Sequence, residues 1–361
     1  MPKKYSLNGR VAAIFFASFS WISAVAADEI YWHLDSTINR GLLADNYWQS
    51  QTMNQSSPKV LAYSDSQIGV STDVAGQKIF LERRKISTLS TNTNSLLAAS
   101  NPERSLEGQN YGVFPLKANL QKYEFEAVGL VFEGAISRQL TWFISPKALR
   151  LNSFTTGEGQ GELAVTPTSQ HLSGNLDRQG MSSYGFTTDP QSTQIGVGGS
   201  IDLQLRWKSQ SFQVDLSAVN LASRIPTSSM YYNQRSYQVS TQSGNLVFSN
   251  VPSLTGTYGQ MDPTLRLPRI IKSTLGHQES QSNLSEYVGV ITLQEGSIPW
   301  GGVGYKWGDS SIQAKTYALN NLFISYEQTN FLLSNLLFEV TLGTAFQGKS
   351  QLALTTLKYT F

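Results

Sequence analysis

Two consecutive segments near the middle of the chain alternate between apolar and polar residues. In Ile201–Trp207 every odd-numbered residue is apolar, and in Phe212–Ala218 every even-numbered residue is apolar. A short polar turn, residues 208–211, joins the two segments. Because successive side chains of a strand point to opposite faces, this pattern predicts an antiparallel hairpin with one apolar and one polar face.

The same alternation recurs along much of the chain. The clearest further segments are 123–131, 136–144, 287–293, 303–307, 322–327, 338–342 and 351–361. Together with weaker segments they predict an antiparallel up-and-down arrangement of 12–16 strands, and 14 is the central expectation. Polar stretches, residues 88–108 and 167–198 among them, are expected to be loops.

The N-terminal residues have the order of parts of an export signal. Lys3, Lys4 and Arg10 precede the apolar run Val11–Ala24, and small residues follow at 24–27. The run is too short to span a bilayer as a helix, which needs roughly 20 residues. We therefore expect a cleaved Sec-type signal peptide over residues 1–27, with cleavage near residue 26 or 27.

The C-terminal strand ends on an aromatic residue. Leu357, Tyr359 and Phe361 share one face of the segment QLALTTLKYTF. This segment resembles the assembly signal that ends the β-barrels of the Gram-negative outer membrane. The resemblance covers about one strand, and it implies that these three residues are recognised by the barrel assembly machinery after delivery by periplasmic chaperones.

Hydropathy and composition agree with a membrane barrel. After the signal no apolar run approaches the length of a spanning helix, and a closed barrel is the other structure that satisfies its backbone in lipid. Charged residues make up 14%, and the chain has 29 Gly, 16 Tyr and 17 Phe. We therefore predict an all-β transmembrane β-barrel in the outer membrane of a Gram-negative bacterium, in contact with its lipid.

Two regions follow the signal. Residues 28–58 have little strand character and are expected to be a hatch or a periplasmic tail, although a first strand is also compatible. Residues 59–361 are expected to form the barrel. Without the three basic signal residues, 24 of the 27 basic residues remain against 25 acidic ones, so the charge gives no reason to expect nucleic-acid binding.

The polar faces of the predicted strands supply the candidate functional residues. If apolar rows face lipid, the alternating polar residues line the barrel interior and can select solutes by charge and size. The pore-lining candidates are Glu124, Glu126, Asp202, Gln204, Arg206, Asp215, Lys306, Glu327 and Glu339. In a simple register Arg206 faces Gln213 and lies diagonal to Asp215, which predicts an ion pair inside the barrel.

Catalytic, metal and cofactor sites are not expected. The chain has three His and no Cys, and neither a metal-ligand spacing nor a phosphate-binding loop occurs. His171 and Ser173 resemble the His-x-Ser motif of outer-membrane phospholipase A, but the Asn-Gly that follows in that family is reversed here at Gly174 and Asn175. A lipid hydrolase is thus an alternative, and the main expectation is a protein without enzymatic activity.

Passive passage of small solutes or hydrophobic compounds is the function that this architecture favours. A non-strand N-terminal segment and the Ala218–Leu221 strand end make the chain similar to fatty-acid and hydrocarbon channels, which implies an interior hatch. A structural, assembly or secretion-associated protein of the outer membrane is the alternative. The pattern alone leaves the solute and the oligomeric state open.

Overall fold

The computed structural model describes twelve stretches of the chain. They are residues 29–38, 59–95, 112–165, 172–182, 196–228, 230–242, 245–250, 258–278, 282–317, 321–329, 336–345 and 351–360. Statements below refer to these residues. The predicted signal peptide and Phe361 lie outside them.

The described chain is built almost entirely of β-strands. In chain order they are β1 (Glu29–Ile38), β2 (Lys59–Val74), β3 (Gln77–Asn92), β4 (Gly112–Ala135), β5 (Leu140–Val165), β6 (Leu172–Ser182), β7 (Val197–Lys208), β8 (Phe212–Pro226), β9 (Met230–Gln242), β10 (Asn245–Asn250), β11 (Tyr258–Met261), β12 (Thr264–Leu265), β13 (Ile270–Gln278), β14 (Leu284–Leu293), β15 (Gly296–Trp307), β16 (Ser310–Tyr317), β17 (Asn321–Gln328), β18 (Leu336–Ala345) and β19 (Gln351–Thr360). No helix in these stretches is long and apolar enough to cross a membrane.

Antiparallel pairings connect fourteen of these strands in a ring. The order is β1, β2, β3, β4, β5, β7, β8, β13 to β19, and then β1 again. Each ring strand is followed by the next ring strand along the chain, which is an up-and-down topology. The predicted all-β antiparallel fold is confirmed, and the ring has the number of strands at the centre of the predicted range.

The other five strands extend one end of the ring. β6 pairs with the second half of β5 and with β9, and β9 also pairs with β10 and β11. The short β12 pairs with β8 at Pro226 and Ile225. The prediction of a loop over residues 167–198 is wrong in part, because residues 172–182 form strand β6. β6 pairs with the second half of β5, which β7 does not reach, so that half has no unpaired edge.

The two ends of the ring differ in their connections. At the turn end, short turns join β2 to β3 at Ala75 and Gly76, β7 to β8 at 209–211, and β15 to β16 at 308–309. β1 begins and β19 ends at this same end, because Glu29 pairs with both Ser71 and Thr360. The opposite end, here the loop end, carries the longest connections and the extension, and a two-residue turn at 294–295 joins β14 to β15 there.

Residues 29–38 correct the expected role of the N-terminal segment. They are not an interior hatch, because β1 is a wall strand that pairs with β2 on one side and β19 on the other. The sequence pattern failed here because β1 has a polar middle, His33 to Thr37, whose alternation is weak. Residues 39–58 lie outside the described residues.

Side-chain contacts between strands that are not neighbours identify the inward face of the ring. The Lys272 ammonium group of β13 lies 5.5 Å from the ring centroid of Tyr63 on β2. Lys147 of β5 contacts Glu82 of β3 although β4 lies between these strands. Since side chains alternate along a strand, these contacts show which side chains of β2, β3, β5 and β13 point into the ring.

Candidate functional site in the ring interior

A cluster of buried charges lies inside the ring. The Arg84 Nε donates a hydrogen bond to Asp65 Oδ1 over 2.7 Å, and a second guanidinium nitrogen contacts the other carboxylate oxygen. Lys147 Nζ lies 2.7 Å from Asp202 Oδ2 and 3.3 Å from Glu82 Oε1. The Arg84, Asp65, Glu82 and Lys147 side chains are almost fully buried. We call these five residues the ion cluster.

The charges of the ion cluster are balanced by a sixth residue. Three carboxylates face Arg84 and Lys147, and Lys272 supplies a third positive charge near Tyr63. The Tyr63 hydroxyl in turn donates to Asp65 Oδ2 over 3.0 Å. Buried charges are tolerated when they are paired and hydrogen-bonded, so this neutral arrangement can persist away from water.

A backbone irregularity positions Asp202. The pairing of β7 with β8 shifts between Ile201 and Leu203, and Asn220 opposite this shift has a left-handed φ of 53°. The Asn220 N–H donates to Asp202 Oδ1 over 2.8 Å. Asparagine adopts left-handed φ more readily than most residues, which suits it to a bulge of this kind.

An apolar core fills the interior next to the ion cluster. It joins residues from both sides of the ring, and its fully buried members include Ile86, Phe125, Leu149, Ile270 and Ile298 on β3, β4, β5, β13 and β15. Interiors of this kind exclude water, because burial of apolar surface is favourable by roughly 25 cal/mol per Å². Buried apolar side chains therefore occupy the interior of the described ring at this level.

An inward segment, residues 262–269, contributes to this core. Leu265 and Leu267 are buried in it. The Tyr123 hydroxyl of β4 donates to the Arg266 carbonyl over 3.1 Å, and the Leu267 N–H donates to Ser223 Oγ of β8 over 2.8 Å. The segment therefore bridges two walls of the ring, in the interior position expected for residues 28–58 if they formed a hatch.

Toward the turn end the interior is lined by polar and charged groups. Glu29 Oε2 lies 2.9 Å from Lys358 Nζ and 3.3 Å from Lys78 Nζ, which ties three strands together across the closure. On the other side Glu327 pairs directly with Glu339 in the β17–β18 ladder. The interior thus changes along the ring from polar, through the ion cluster, to apolar.

The structure places seven of the nine predicted pore-lining residues on the inward face. Asp202 belongs to the ion cluster, and Arg206 forms an ion pair with Asp215 over 2.8 Å. The inward face also carries Gln204, Lys306, Glu327 and Glu339, because each of them shares a strand face with inward residues. Arg206 lies directly opposite Asp215, so the predicted ion pair is present while the predicted facing of Gln213 is wrong.

Glu124 and Glu126 lie on the outer face instead. Their neighbours Tyr123, Phe125 and Ala127 are buried in the core, so the alternating carboxylates point away from it. Glu124 contacts Arg83 and Glu126 contacts Arg150, all at partly exposed positions. The expectation failed because it assumed that apolar rows face outward, whereas here an apolar row fills the interior.

Sequence reasoning missed most of the ion cluster. Of the five residues it named only Asp202, although Arg84 is the buried member of the basic run Arg83 to Lys85. A better signal was available in the pairing of Arg84 with Glu82, an i, i+2 pair of opposite charge on one strand face. Lys147 had no such signal, since its partners come from other strands.

The remaining predicted sites are only partly described. Leu357 and Tyr359 lie on β19, and Phe361 is outside the described residues. Ser173 lies on β6, whereas His171 is outside, so the hydrolase alternative is untested. Within the described stretches no group of three or more His, Asp or Glu side chains is arranged to hold a metal ion.

Comparison with known proteins adds no relative. None of the known protein families matches the sequence, and neither a curated protein nor a solved structure matches the chain. The class of protein is therefore inferred from the geometry of the ring and its two faces.

Proposed function

We propose that this protein is a β-barrel of the Gram-negative outer membrane that passes small hydrophobic or amphipathic compounds and is closed in the state described. The observation that carries the proposal is the apolar core inside the ring, directly beside the ion cluster. A channel for hydrated ions needs a polar interior throughout, whereas an apolar interior suits a ligand with an apolar body.

The outer face supports a lipid environment. Exposed apolar side chains occur on four consecutive ring strands, β8, β13, β14 and β15, with exposed fractions of 37% at Leu216, 44% at Leu275, 57% at Val288 and 49% at Val303. In water such rows would favour aggregation of the protein. In a bilayer they are the expected outward band of a barrel.

Aromatic side chains near the turn end fit a membrane interface. The ring centroids of Tyr305 and Trp307 lie 5.9 Å apart, and that of Trp307 lies 6.3 Å from that of Tyr326 on β17, across β16. Aromatic residues flank the apolar band of outer-membrane barrels, where their amphipathic rings sit at headgroup level. Short turns at this end are typical of the periplasmic side, which orients the loop end outward.

A route through the ring follows from its layered interior. A compound that enters from the loop end would displace the inward segment 262–269 from the core and then meet the ion cluster. Contacts between opposite walls of the ring hold both the inward segment and the ion cluster in place. The ring can open only if contacts with the compound replace them.

The closed interior also favours a second function, that of a structural or assembly barrel. The ion cluster and the core together occupy the ring interior over several residues of each wall. Such a barrel would anchor partners through its extension at the loop end and would transport nothing.

An experiment with the refolded mature protein separates the two functions. We expect folded wild-type protein to bind a fluorescent medium-chain fatty acid saturably and to show little conductance in planar bilayers. Replacing Leu265 and Leu267 with Ser should loosen the inward segment and raise the conductance, because both buried side chains lose their apolar contacts. The control Met261→Ser changes an exposed side chain and should leave the current unchanged.

A folded double variant without current, together with wild-type protein that binds no fatty acid, would favour the structural barrel. A large, ion-selective current from the unmodified protein would instead contradict the closed state and indicate an aqueous pore.

A further inference from the structure

The outer face of the ring carries a concentrated patch of positive charge on β3, β4, β5 and β8. We define this basic belt by its members Arg83, Lys85, Lys122, Arg150 and Arg224. The first three flank inward residues that are buried, Arg84, Ile86 and Tyr123, so alternation places the basic side chains outside. Arg224 likewise precedes the fully buried Ile225.

Strand pairing brings four of the five members close together on β3, β4 and β5, and β7 separates them from Arg224. Arg83, Glu126 and Arg150 are direct partners in the β3–β4 and β4–β5 ladders. Lys85 is the partner of Glu124 in the next row toward the loop end. The two carboxylates neutralise only part of the charge, since five basic side chains face two acidic ones.

The ion pairs of the belt leave its cations accessible. Arg83 Nε donates to Glu124 Oε1 over 3.0 Å while 60% of the Arg83 side chain stays exposed. Arg150 contacts Glu126 over 3.0 Å and remains 42% exposed. These pairs hold the guanidinium groups in place and leave other donors available to an anion from outside.

The position of the belt along the strands matches the edge of the apolar band. On the outward face of β5 the residues after Leu140 are all apolar, namely Trp142, Ile144, Pro146 and Ala148, and Arg150 follows. Ten residues of tilted strand rise by roughly 25 Å, which is the usual height of the lipid-facing band of such barrels. The belt therefore lies at headgroup level on the loop side.

We propose that the basic belt binds the phosphate groups of the phosphorylated glycolipid of the outer leaflet. Guanidinium and ammonium groups make charge-assisted hydrogen bonds to phosphate oxygens, and acyl chains of the same lipid would lie against the apolar band below. The proposal rests on the outer-membrane placement proposed above, and it concerns the outer wall and not the interior.

The test compares two double variants that remove the same charge at opposite ends of the ring. Lys85→Gln with Lys122→Gln lowers the charge of the belt, and Arg138→Gln with Lys208→Gln does so at exposed residues of the turn end. Each Lys or Arg near anionic lipid contributes about 1 kcal/mol, so the belt variant should bind diphosphoryl lipid A on the order of tenfold to thirtyfold more weakly. The turn-end variant should bind like the wild type.

Binding is measured on the refolded protein in neutral detergent, with diphosphoryl lipid A, its dephosphorylated form and inorganic phosphate as separate titrants. We expect phosphate-dependent binding of the lipid and no comparable binding of free phosphate. Equal affinities in both double variants would overturn the proposal, and so would equal binding of the dephosphorylated lipid. Comparable effects of inorganic phosphate would mean a general anion site and would also overturn it.

Failure of the proposal is distinguishable from failure of the proposed function. A protein that shows heat-modifiable migration and inserts into vesicles, but lacks lipid A binding, contradicts the belt alone. A protein that never inserts contradicts the membrane placement and the belt together. Should Lys85→Gln with Lys122→Gln fold poorly, Arg224→Gln is the substitute, since its side chain lies on a different ladder of the same belt.

Discussion

Arg206 lies directly opposite Asp215 on the inward face of the β7–β8 hairpin, and its Nε donates to Asp215 Oδ1 over 2.8 Å. The Arg206 guanidinium also lies 5.9 Å from the ring centroid of Phe143 on the neighbouring β5. Three ring strands thus meet at one inward side chain, close to the turn that joins two of them.

The register of this hairpin can be tested by cross-linking, because the chain contains no Cys. Cys at 206 and 215 should form a disulfide on mild oxidation, since directly opposite residues have Cβ atoms about 4.5–5.5 Å apart. Cys at 206 and 213 should react far more slowly, because Gln213 is opposite Lys208. Efficient cross-linking of the 206–213 pair alone would contradict the register; a gel shift under non-reducing conditions reports it.

The outward facing of the apolar rows predicts an asymmetric effect of charge. Leu205→Arg should impair folding into lipid by roughly 2–4 kcal/mol if the residue lies near the middle of the bilayer. Gln204→Arg, one residue away on the inward face, should have a much smaller effect, since polar groups already line that side. Urea titrations of protein refolded into vesicles measure both, and similar losses would mean that the faces are assigned wrongly.

Removal of Lys147 should be strongly destabilising. Lys147→Met removes the nearer of the two buried cations that Glu82 and Asp202 share, the other being Arg84, and breaking a buried pair from one side costs about 3–5 kcal/mol. Lys208→Met at the exposed turn is the matched control and should change the free energy of unfolding by less than about 0.5 kcal/mol. If the two variants unfold at the same urea concentration, the ion cluster does not contribute to stability.

The close approach of β7 to β8 predicts a glycine requirement. A Cβ added at Gly198 would overlap the Arg224 carbonyl oxygen and lie 2.7 Å from the Ile225 Cα, both backbone atoms. Gly198→Ala should therefore lower the thermal midpoint of the folded barrel. Gly157→Ala, where no heavy atom lies within 4 Å, should leave it unchanged or raise it slightly. Equal midpoints for the two variants would show that β7 and β8 are farther apart there.

The fold class could be predicted because alternation with period two is local. In segments such as Ile201–Trp207 the alternation is visible in the segment itself and predicts a strand without knowledge of its neighbours. The number of such segments limited the number of strands to be expected. The facing of each row could not be predicted in the same way. The row containing Leu205 faces outward while the row containing Phe125 faces inward, and both read as apolar alternation.

The candidate site was predictable only where both partners lie on one hairpin. The Arg206–Asp215 pair follows from two adjacent strands. The ion cluster instead joins Glu82 of β3, Lys147 of β5 and Asp202 of β7, and the backbone irregularity at Asn220 completes it. Contacts of this range depend on ring size and strand stagger, which a single sequence does not specify.

The pairing of β1 with β19 sets the order in which this chain can finish folding. Glu29 and Thr360 are partners although they lie 331 positions apart (360 minus 29). Bringing the ends of such a long segment together costs about 5 kcal/mol of chain entropy before any stabilising contact between them forms. Until β19 is available, the free edge of β1 exposes unpaired backbone groups that can capture another chain. The time between synthesis of the first strand and arrival of the last is therefore the period of greatest aggregation risk for this protein.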